Sequence, residues 1–325
     1  MASLRDIRKH IDAVKNIQQI TGAMKMVAAA RIRRAQNAMM QARPFAHNVG
    51  RLVGDLYGEF SEADMEGTEA VRYFQRRSKG PKCLVLVTAD KGLCGAFNAL
   101  LLKTALAWIR ANMDEKIFVI TVGKKGWDFM RRLKGVDIIL ADQLLGIFPK
   151  AGYAHAKILG DHINKLFMET QIESVTVIYN EFKSMMSQKI VTKQLLPLSN
   201  FIEEGVEKAK SKGDDAKLKT VDFIFEPGKI QLLDSLLPLH LNLQLLRILM
   251  ESQAAELAAR MTAMEAASKN ASDLISGHTG SAGQVCRAQN KKTGQNHGEA
   301  GICPVQAVQH NKKPVPGSVR RQHED

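Results

Sequence analysis

The segment "TADKGLCGAFN", residues 88 to 98, is the part of this sequence whose residue types most resemble a binding motif. It follows an apolar run and precedes a helical pattern, a position at which backbone N–H groups can cradle a phosphate. It contains neither the G-x-G-x-x-G pattern of dinucleotide sites nor the G-x-x-x-x-G-K-[ST] pattern of P-loops. We therefore interpret Gly92 and Gly95 as residues of a tight turn with close strand-to-helix packing. A nucleotide-binding α/β enzyme that uses this loop remains an alternative, and nucleotide binding by the isolated chain would support it.

Other residues with catalytic potential are scattered along the chain. The sequence has no H-E-x-x-H motif, and no pair of carboxylates stands out in a turn after a strand. The four cysteines form no C-x-x-C pair, which suits free thiols in a reducing compartment. The spacing of Cys286, His297, Cys303 and His310 matches no familiar zinc pattern, so we predict no metal site. This pattern favours a binding or mechanical role with no catalytic residues in the chain.

The composition is that of a globular protein with an acidic partner. The chain has 325 residues, 45% of them hydrophobic, and a formal net charge of +13. Nucleic acid, an anionic membrane surface and acidic protein loops are all suitable partners for such a charge. Residues 1 to 44 contain no aromatic side chain, which disfavours a nucleic-acid reader; steeply salt-dependent DNA affinity would support that alternative. No uninterrupted apolar run reaches the roughly 20 residues that span a bilayer, so we expect no membrane crossing.

Residues 1–58 are predicted to form one long helix. An apolar stripe with steps of three or four residues runs along it: Leu4, Ile7, Ile11, Val14, Ile17, Thr21, Met24 and Ala28. This spacing is close to that of a coiled coil, so the stripe must pack against another helix.

Residues 75–226 are predicted to form a Rossmann-like α/β domain. Short runs rich in Val and Ile alternate with helical segments, and the predicted strands are residues 82–90, 116–123, 136–140, 173–182, 188–198 and 221–228. The predicted helices are residues 96–110, 125–133 and 153–168. This alternation indicates a largely parallel sheet that is covered on both faces.

Residues 229–275 are predicted to form a second long helix, because leucine, methionine and alanine recur there with three-and-four spacing. Within it, Glu256 and Arg260 are four residues apart and can form an ion pair. The first helix is its natural partner. The predicted fold is therefore a long antiparallel two-helix coiled coil with the α/β domain inserted between its helices.

Residues 276–325 differ from the rest of the chain. They contain several glycines and glutamines but no Leu, Met, Phe, Trp or Tyr. Such a segment buries too little apolar surface to offset its ordering entropy, so we predict a disordered C-terminal tail.

Four segments in collinear order resemble the γ subunit of F-type, proton-translocating ATP synthases. They are "MASLRDIRKHIDAVKNIQQITGAMKMVAAARIRRAQ" (1–36), "TADKGLCGAFN" (88–98), "VIYNEFKSMMSQ" (177–188) and "ESQAAELAARMTAMEAASKNASDLI" (251–275). The resemblance covers residues 1–275. It implies that the chain is the central rotary shaft, which transmits torque from the proton-driven c-ring to the catalytic β subunits.

The resemblance also implies the partners and the location. The paired helices would lie inside a ring of α and β subunits, and the α/β domain would lie beside the ε subunit and the c-ring. One copy would be present in each complex, and ATP, ADP and Mg²⁺ would bind to the β and α subunits. With no transit peptide ahead of "MASLRDIR", we expect the cytoplasmic face of a bacterial plasma membrane.

The family's positions that face the ring fall on Met24, Lys25, Lys91, Glu256 and Arg260 of this sequence. Weaker candidates for the foot, which faces ε and the c-ring, are Asp222 and Glu226. Lys91 replaces an arginine that is often found at its position, so charge is kept but bidentate pairing is lost. By physical chemistry alone, Met24 would be core filler.

The last 50 residues, from Ser276, depart from the family pattern, which continues with a longer second helix. A shift of the reading frame is one explanation, and sequencing the gene across the codons for residues 270–300 tests it. If the second helix ends at Ile275, the product would be an assembly- or coupling-defective γ subunit.

Overall fold

The computed structural model describes residues 4–58, 60, 68–75, 77, 79–133, 135–148, 150–198 and 228–292. In chain order the elements are α1 (Leu4–Gly58), α2 (Glu69–Phe74), β1 (Lys82–Val87), α3 (Phe97–Ala111), β2 (Ile117–Val122), α4 (Lys124–Met130), β3 (Ile138–Leu144), α5 (Tyr153–Glu169), β4 (Ser174–Phe182), β5 (Gln188–Leu196) and α6 (Lys229–Lys292). The chain divides into two compact units. The terminal unit comprises residues 1–24 and 264–325, and the central unit comprises residues 25–263.

The strands of the central unit form one sheet with the order β3-β2-β1-β4-β5. β1 pairs in parallel with β2 and β4, β2 pairs in parallel with β3, and β5 is antiparallel to β4. All five strands predicted within the described residues are therefore present, in the largely parallel sheet that was expected. The near-continuous apolar runs of β1, β2 and β4 are typical of strands that are buried on both faces, whereas β3 and β5 at the sheet edges are partly exposed.

Helices cover both faces of this sheet, and β1 shows how the sequence achieves this. Successive side chains of a strand point to opposite faces. Leu84 and Leu86 pack with α3 and α4 residues such as Leu101 and Met130. Cys83, Val85 and Val87 belong to a second core, together with residues of α5, α6 and the end of α1. The short helix α2 was not predicted, because its six residues are too few for a periodic pattern.

Within the central unit, α1 and α6 run antiparallel. Ile32 and Ala35 pack with Ala254, Leu257 and Ala258. Further along α1, Val49 and Val53 share a core with Leu233 and Leu237, which lie earlier on α6. Rising residue numbers on one helix therefore meet falling numbers on the other, as predicted for the two-helix arrangement.

In the terminal unit, the buried stripe of α1 differs from the prediction at one position. Ile11, Val14 and Thr21 are buried, but Ile17 is 52% exposed. Two successive steps of three residues carry Ile17 about 120° away from Ile11 around a helix of 3.6 residues per turn. Gln18 is partly buried and stands closer to the stripe.

We predicted from the sequence that the second helix ends at Ile275. This prediction is wrong, because α6 continues to Lys292. The prediction rested on the change to glycines and polar residues after Ile275, but a glycine inside a helix costs only about 1 kcal/mol relative to alanine. No proline follows before residue 292. The Thr279 hydroxyl donates to the Ile275 carbonyl oxygen at 2.7 Å, and the His278 ring contacts that of His10 with a centroid separation of 4.8 Å.

Three groups of predictions lie outside the described residues. They concern the strand at 221–228, of which only Gly228 is described, and the foot residues Asp222 and Glu226. The predicted tail begins at residue 276, and its part from residue 293 to 325 is also outside.

One segment of α6 is apolar enough to be considered as a membrane span. Within Lys229–Gly280, an 18-residue window has a mean hydropathy of 1.2, which is high enough for a membrane span, although polar residues interrupt its apolar residues. Of that window, 56% is buried inside the chain itself, and a helix that packs in a protein core can meet the same criterion.

Candidate functional site

The loop between β1 and α3 is anchored to the carboxyl ends of the neighbouring strands. The Thr88 hydroxyl donates to the Val122 carbonyl oxygen at 3.0 Å and accepts from the Gly126 backbone N–H at 2.8 Å. Asp90 Oδ1 accepts the backbone N–H of Lys124 at 3.1 Å and that of Gly146 at 3.2 Å. One carboxylate therefore joins the loops that follow β1, β2 and β3.

The exposed part of this loop contains an unusual backbone conformation. Leu93 has φ 63° and is 64% exposed, whereas left-handed backbone is uncommon outside glycine. Gly95 also has positive φ, 58°, and a Cβ built on it would lie 3.7 Å from Ala263 Cβ. The turn therefore depends on Leu93 and Gly95, while Gly92 has no atom near its Cβ position and no positive φ. The positive φ of Gly95 agrees with the predicted tight turn, although its neighbour is Ala263 of α6 and not a strand, and the close packing predicted at Gly92 is not found.

An ion pair on α6 holds this loop. Arg260 Nη2 lies 2.5 Å from Glu256 Oε1, so the i,i+4 pair predicted from the spacing is present. The Glu256 side chain is 3% exposed and that of Arg260 is 14% exposed. Arg260 also donates to the Gly92 carbonyl oxygen at 3.1 Å. Loop 88–95 and α6 are thereby joined through a single guanidinium, and we call this arrangement the loop–helix junction.

Burial controls the protonation of Glu256 at the loop–helix junction. Desolvation raises the pKa of Glu256 to about 7, and the charge of Asp90 adds to the rise. The cations of Arg260, Arg31 and Lys91 act in the opposite direction but do not outweigh the desolvation. The junction therefore holds a carboxyl group that titrates near neutral pH.

Alanines let α6 approach its neighbours closely at this level. Ala254 and Ala258 are fully buried and pack against Ile32 of α1, whereas Ala255 packs in the core that contains Cys94 and Phe97. Short side chains are needed on the two sides of α6 that face α1 and the Cys94–Phe97 core, because protein interiors are packed as densely as organic crystals. The Cys94 thiol is enclosed here, and burial raises its pKa, which makes the reactive thiolate rarer.

Replacing Ala258 by leucine is expected to destabilise the chain by about 1–3 kcal/mol, because the added carbons overpack a site with no exposed surface. Urea unfolding of the full chain measures the change. Ala266 is exposed on the same helix and, since alanine and leucine have similar helix propensity, Ala266→Leu is the matched control. Equal midpoints for the two variants would contradict the packing argument.

The structure brings together three of the five predicted ring-facing residues. Lys91 is exposed on loop 88–95, beside the Glu256–Arg260 pair. Lys25 is partly buried on α1 in the central unit, and Met24 is partly buried in the terminal unit. Their predicted contacts with the ring stay predictions.

Two features of the junction were not predicted from the sequence. Arg31 contributes to the electrostatics of Glu256 although more than 200 positions separate them. The Gly92 carbonyl acts as the acceptor for Arg260, and no side-chain type signals a backbone acceptor. Arg31 belongs to the basic flank of α1 that is visible in the sequence, but no local pattern shows that it lies near Glu256.

The geometry of loop 88–98 gives little support to the nucleotide-binding alternative. Its Asp90 carboxylate already occupies backbone donors at the carboxyl edge of the sheet, where an anionic ligand would bind. Asn98 Oδ1 accepts the Ala89 N–H at 3.0 Å. A depression of about 450 Å³ lies elsewhere, lined by residues around α4 such as Lys125, Phe129 and Arg132.

The spacing of Cys286, His297, Cys303 and His310, from which we predicted no metal site, cannot be compared with geometry, since three of these residues lie beyond Lys292. Within the part of the chain that the structure describes, no group of three or more His, Cys, Asp or Glu residues is arranged to hold a metal ion.

Comparisons with known proteins agree with this architecture. The sequence profile of the family described as ATP synthase matches residues 3–285, so the similarity continues beyond Ile275. The "ATP synthase gamma chain" of Elusimicrobium minutum is 43% identical over 279 residues, which cover 85% of this chain and 90% of the relative. That of Geotalea daltonii is 36% identical over 277 residues and covers 85% and 89%.

Solved structures show the same fold. A chain of the Tetrahymena thermophila mitochondrial ATP synthase central stalk and c-ring is 25% identical, with TM-score 0.55, covering 77% of this chain and 99% of that one. A chain of the Euglena gracilis mitochondrial ATP synthase is 18% identical, with TM-score 0.59 and coverage of 89% and 90%. The chain combines a long helix pair with an inserted α/β domain, and α6 is joined to the loop after β1. Together with these comparisons, this architecture identifies a central-stalk subunit of a membrane-associated ATP synthase complex. The chain belongs to the ATP synthase gamma chain family.

Proposed function

We propose that this chain transmits torque from a proton-driven c-ring to catalytic β subunits during ATP synthesis or hydrolysis. The loop–helix junction is the observation that carries this proposal. Through Arg260, the junction links α6 to a loop that is anchored on three strands, so that the helix and the α/β domain can turn as one body. A shaft needs such a rigid link between the part that receives torque and the part that delivers it.

The proposed partners are the α and β subunits around the helix pair, and ε and the c-ring beside the α/β domain, with one copy of this chain per complex. ATP or ADP and Mg²⁺ would bind to the partner β and α subunits. The two relatives named above come from bacteria, which supports the cytoplasmic face of a bacterial plasma membrane as the location.

The charge of the chain suits a rotating contact. A shaft that slips against a ring needs many weak contacts, because one strong contact would trap a single angle. Exposed ion pairs are worth about 0–1 kcal/mol each, and the net charge of +13 supplies many cations for acidic partner loops. We assign one such contact to Lys91, which is exposed on the loop–helix junction. Unequal contacts on the faces of the shaft then shift the conformational populations of the β subunits in turn.

Replacing Lys91 by glutamate in the assembled complex is expected to lower the rate of ATP-driven proton pumping by up to about fivefold, since up to about 1 kcal/mol of the contact that shifts the β subunits between conformations is lost. Inverted membrane vesicles that contain the complex provide the measurement. Lys103 is exposed on α3, so Lys103→Glu is the matched control with the same change of charge. The proposal fails if the chain does not co-purify with α, β and ε, or if both variants pump like the parent complex.

A further inference from the structure

Four polar side chains of α6 lie on one side of the helix. They are His240, Gln244, Arg247 and Glu251, with steps of four, three and four residues, and we call them the polar stripe. Lys193 Nζ on β5 donates to Gln244 Oε1 at 3.0 Å, and Gln244 Nε2 lies 2.7 Å from His240 Nε2. Arg247 Nε donates to Glu251 Oε1 at 2.7 Å. The stripe therefore consists of two hydrogen-bonded pairs, and the pair of His240 and Gln244 is bonded to the edge strand β5.

The protonation of His240 gives this chain of hydrogen bonds a direction. Burial lowers the pKa of His240 to about 4, and the charge of Lys193 adds to the effect. The ring is therefore neutral at pH 7, and its Nε2 accepts a hydrogen from the Gln244 amide. The donors run in order from the Lys193 ammonium to Gln244 and then to His240.

At the other end of the stripe Glu251 faces β4, whereas the Arg247 side chain is 55% exposed. Glu251 is 6% exposed and lies beside Tyr179, which is 4% exposed. Burial and the Glu251 charge raise the pKa of the Tyr179 phenol. In the β4–β5 ladder Lys193 lies opposite Val177, two residues from Tyr179, so Lys193 and Tyr179 share one face of the sheet. The polar stripe thus lies over the antiparallel β4–β5 pair.

The apolar residues of the same segment do not specify which side of α6 faces the sheet. Six of them lie within nine positions and are at most 7% exposed: Leu241, Leu243, Leu245, Leu246, Ile248 and Leu249. A helix that is apolar around most of its circumference can rotate by one residue, about 100°, and still bury leucine. The same rotation would bury the polar stripe without its partners, at a high cost. The polar stripe therefore discriminates between rotational settings that hydrophobic burial leaves nearly equal.

We propose that the polar stripe fixes the rotational setting of α6 on the β4–β5 pair, with Gln244 as the central positioning residue. The consequence for torque rests on the proposed function. Torque that enters the α/β domain reaches the helix without slip only if the helix cannot turn on the sheet, and the bonds from β5 to α6 resist that turning.

The test compares the polar stripe with an apolar replacement of similar volume. In the assembled complex, the full chain carries spin-labelled non-canonical amino acids at the exposed positions Ser187 and Ser235, which spare the native cysteines. The distance distribution between the labels is measured in the parent chain and in the variant Lys193→Met/His240→Leu/Gln244→Met. We expect one distance in the parent and a second population in the variant, with an unfolding midpoint that is unchanged or higher. Replacing buried polar groups by packed apolar ones is often neutral or stabilising.

Gln231→Met is the matched control, because Gln231 is exposed on the same helix, and it should keep the single distance. If the triple variant does not fold, Gln244→Met alone breaks both hydrogen bonds of Gln244 and is measured in the same way. A single unchanged distance in the folded variant would overturn the role of the stripe in registry. Two distances with undiminished proton pumping per ATP would overturn its role in torque. The distances are measured without ATP and do not require the shaft to turn in the complex, so a negative result is distinguishable from failure of the proposed function.

Discussion

Gly123→Ala is expected to destabilise the α/β domain by more than about 4 kcal/mol, which is comparable to the whole stability of a marginal domain. Gly123 lies between β2 and α4 with φ 90°. A Cβ at this position would lie 2.2 Å from the Thr88 carbonyl oxygen and 2.8 Å from its carbon. Both atoms belong to the backbone that follows the central strand, so no side chain can move aside. Urea unfolding and the soluble yield of the full chain measure the loss.

Gly135→Ala is the control that separates the steric clash from backbone strain. Gly135 also has positive φ, 80°, but no atom lies within 4 Å of its Cβ position. We expect this variant to lose only about 1–2 kcal/mol, the cost of a left-handed backbone for an L-residue. If the two variants are equally stable, the contact with Thr88 does not constrain the fold.

The second large effect concerns pH. The free energy of unfolding is expected to fall by about 3 kcal/mol as the pH rises from 4.5 to above 7, through the contribution of Glu256 alone. Burial raises the pKa of this carboxyl from 4.5 to about 7 in the folded state. Between these two pH values the folded state keeps a proton that the unfolded state has lost, so stability decreases with rising pH. The contribution is fully present below pH 4.5.

Glu256→Gln should remove this pH dependence of the free energy of unfolding, because glutamine does not titrate but still offers Arg260 a hydrogen-bond acceptor. Urea unfolding at pH values between 4.5 and 8 measures the difference between the parent chain and the variant. His240 titrates in part of this range, but it is present in both chains, so the difference isolates Glu256. Glu265 is exposed on the same helix, and Glu265→Gln serves as the control. A variant that loses as much stability with rising pH as the parent would refute the assignment to Glu256.

Local patterns of sequence predicted the central fold well. The strands β1, β2 and β4 are buried on both faces, and such strands appear in the sequence as continuous apolar runs. The two long helices were recognised because periodic spacing over many turns is a strong signal. The end of α6 was predicted wrongly at Ile275, since the glycine penalties that follow are small beside the preference of a long helix to continue.

The candidate site was also predicted only in part from local patterns. The spacing of Glu256 and Arg260 predicted their pairing, because residues four apart on a helix are neighbours. The contact of Arg260 with the Gly92 carbonyl joins positions 168 residues apart, so local spacing could not predict it. The left-handed backbone of Leu93 is equally hidden, since leucine rarely adopts it.

The sequence by itself determined the order and type of the elements, the pairing of the long helices and the family of the chain. Periodicity and local residue types carry that information. Only the tertiary structure decided the protonation of Glu256, the link from Arg260 to the loop, and the rotational setting of α6. Each of these depends on desolvation or on a hydrogen bond between distant segments, and such terms are defined only once the chain has folded.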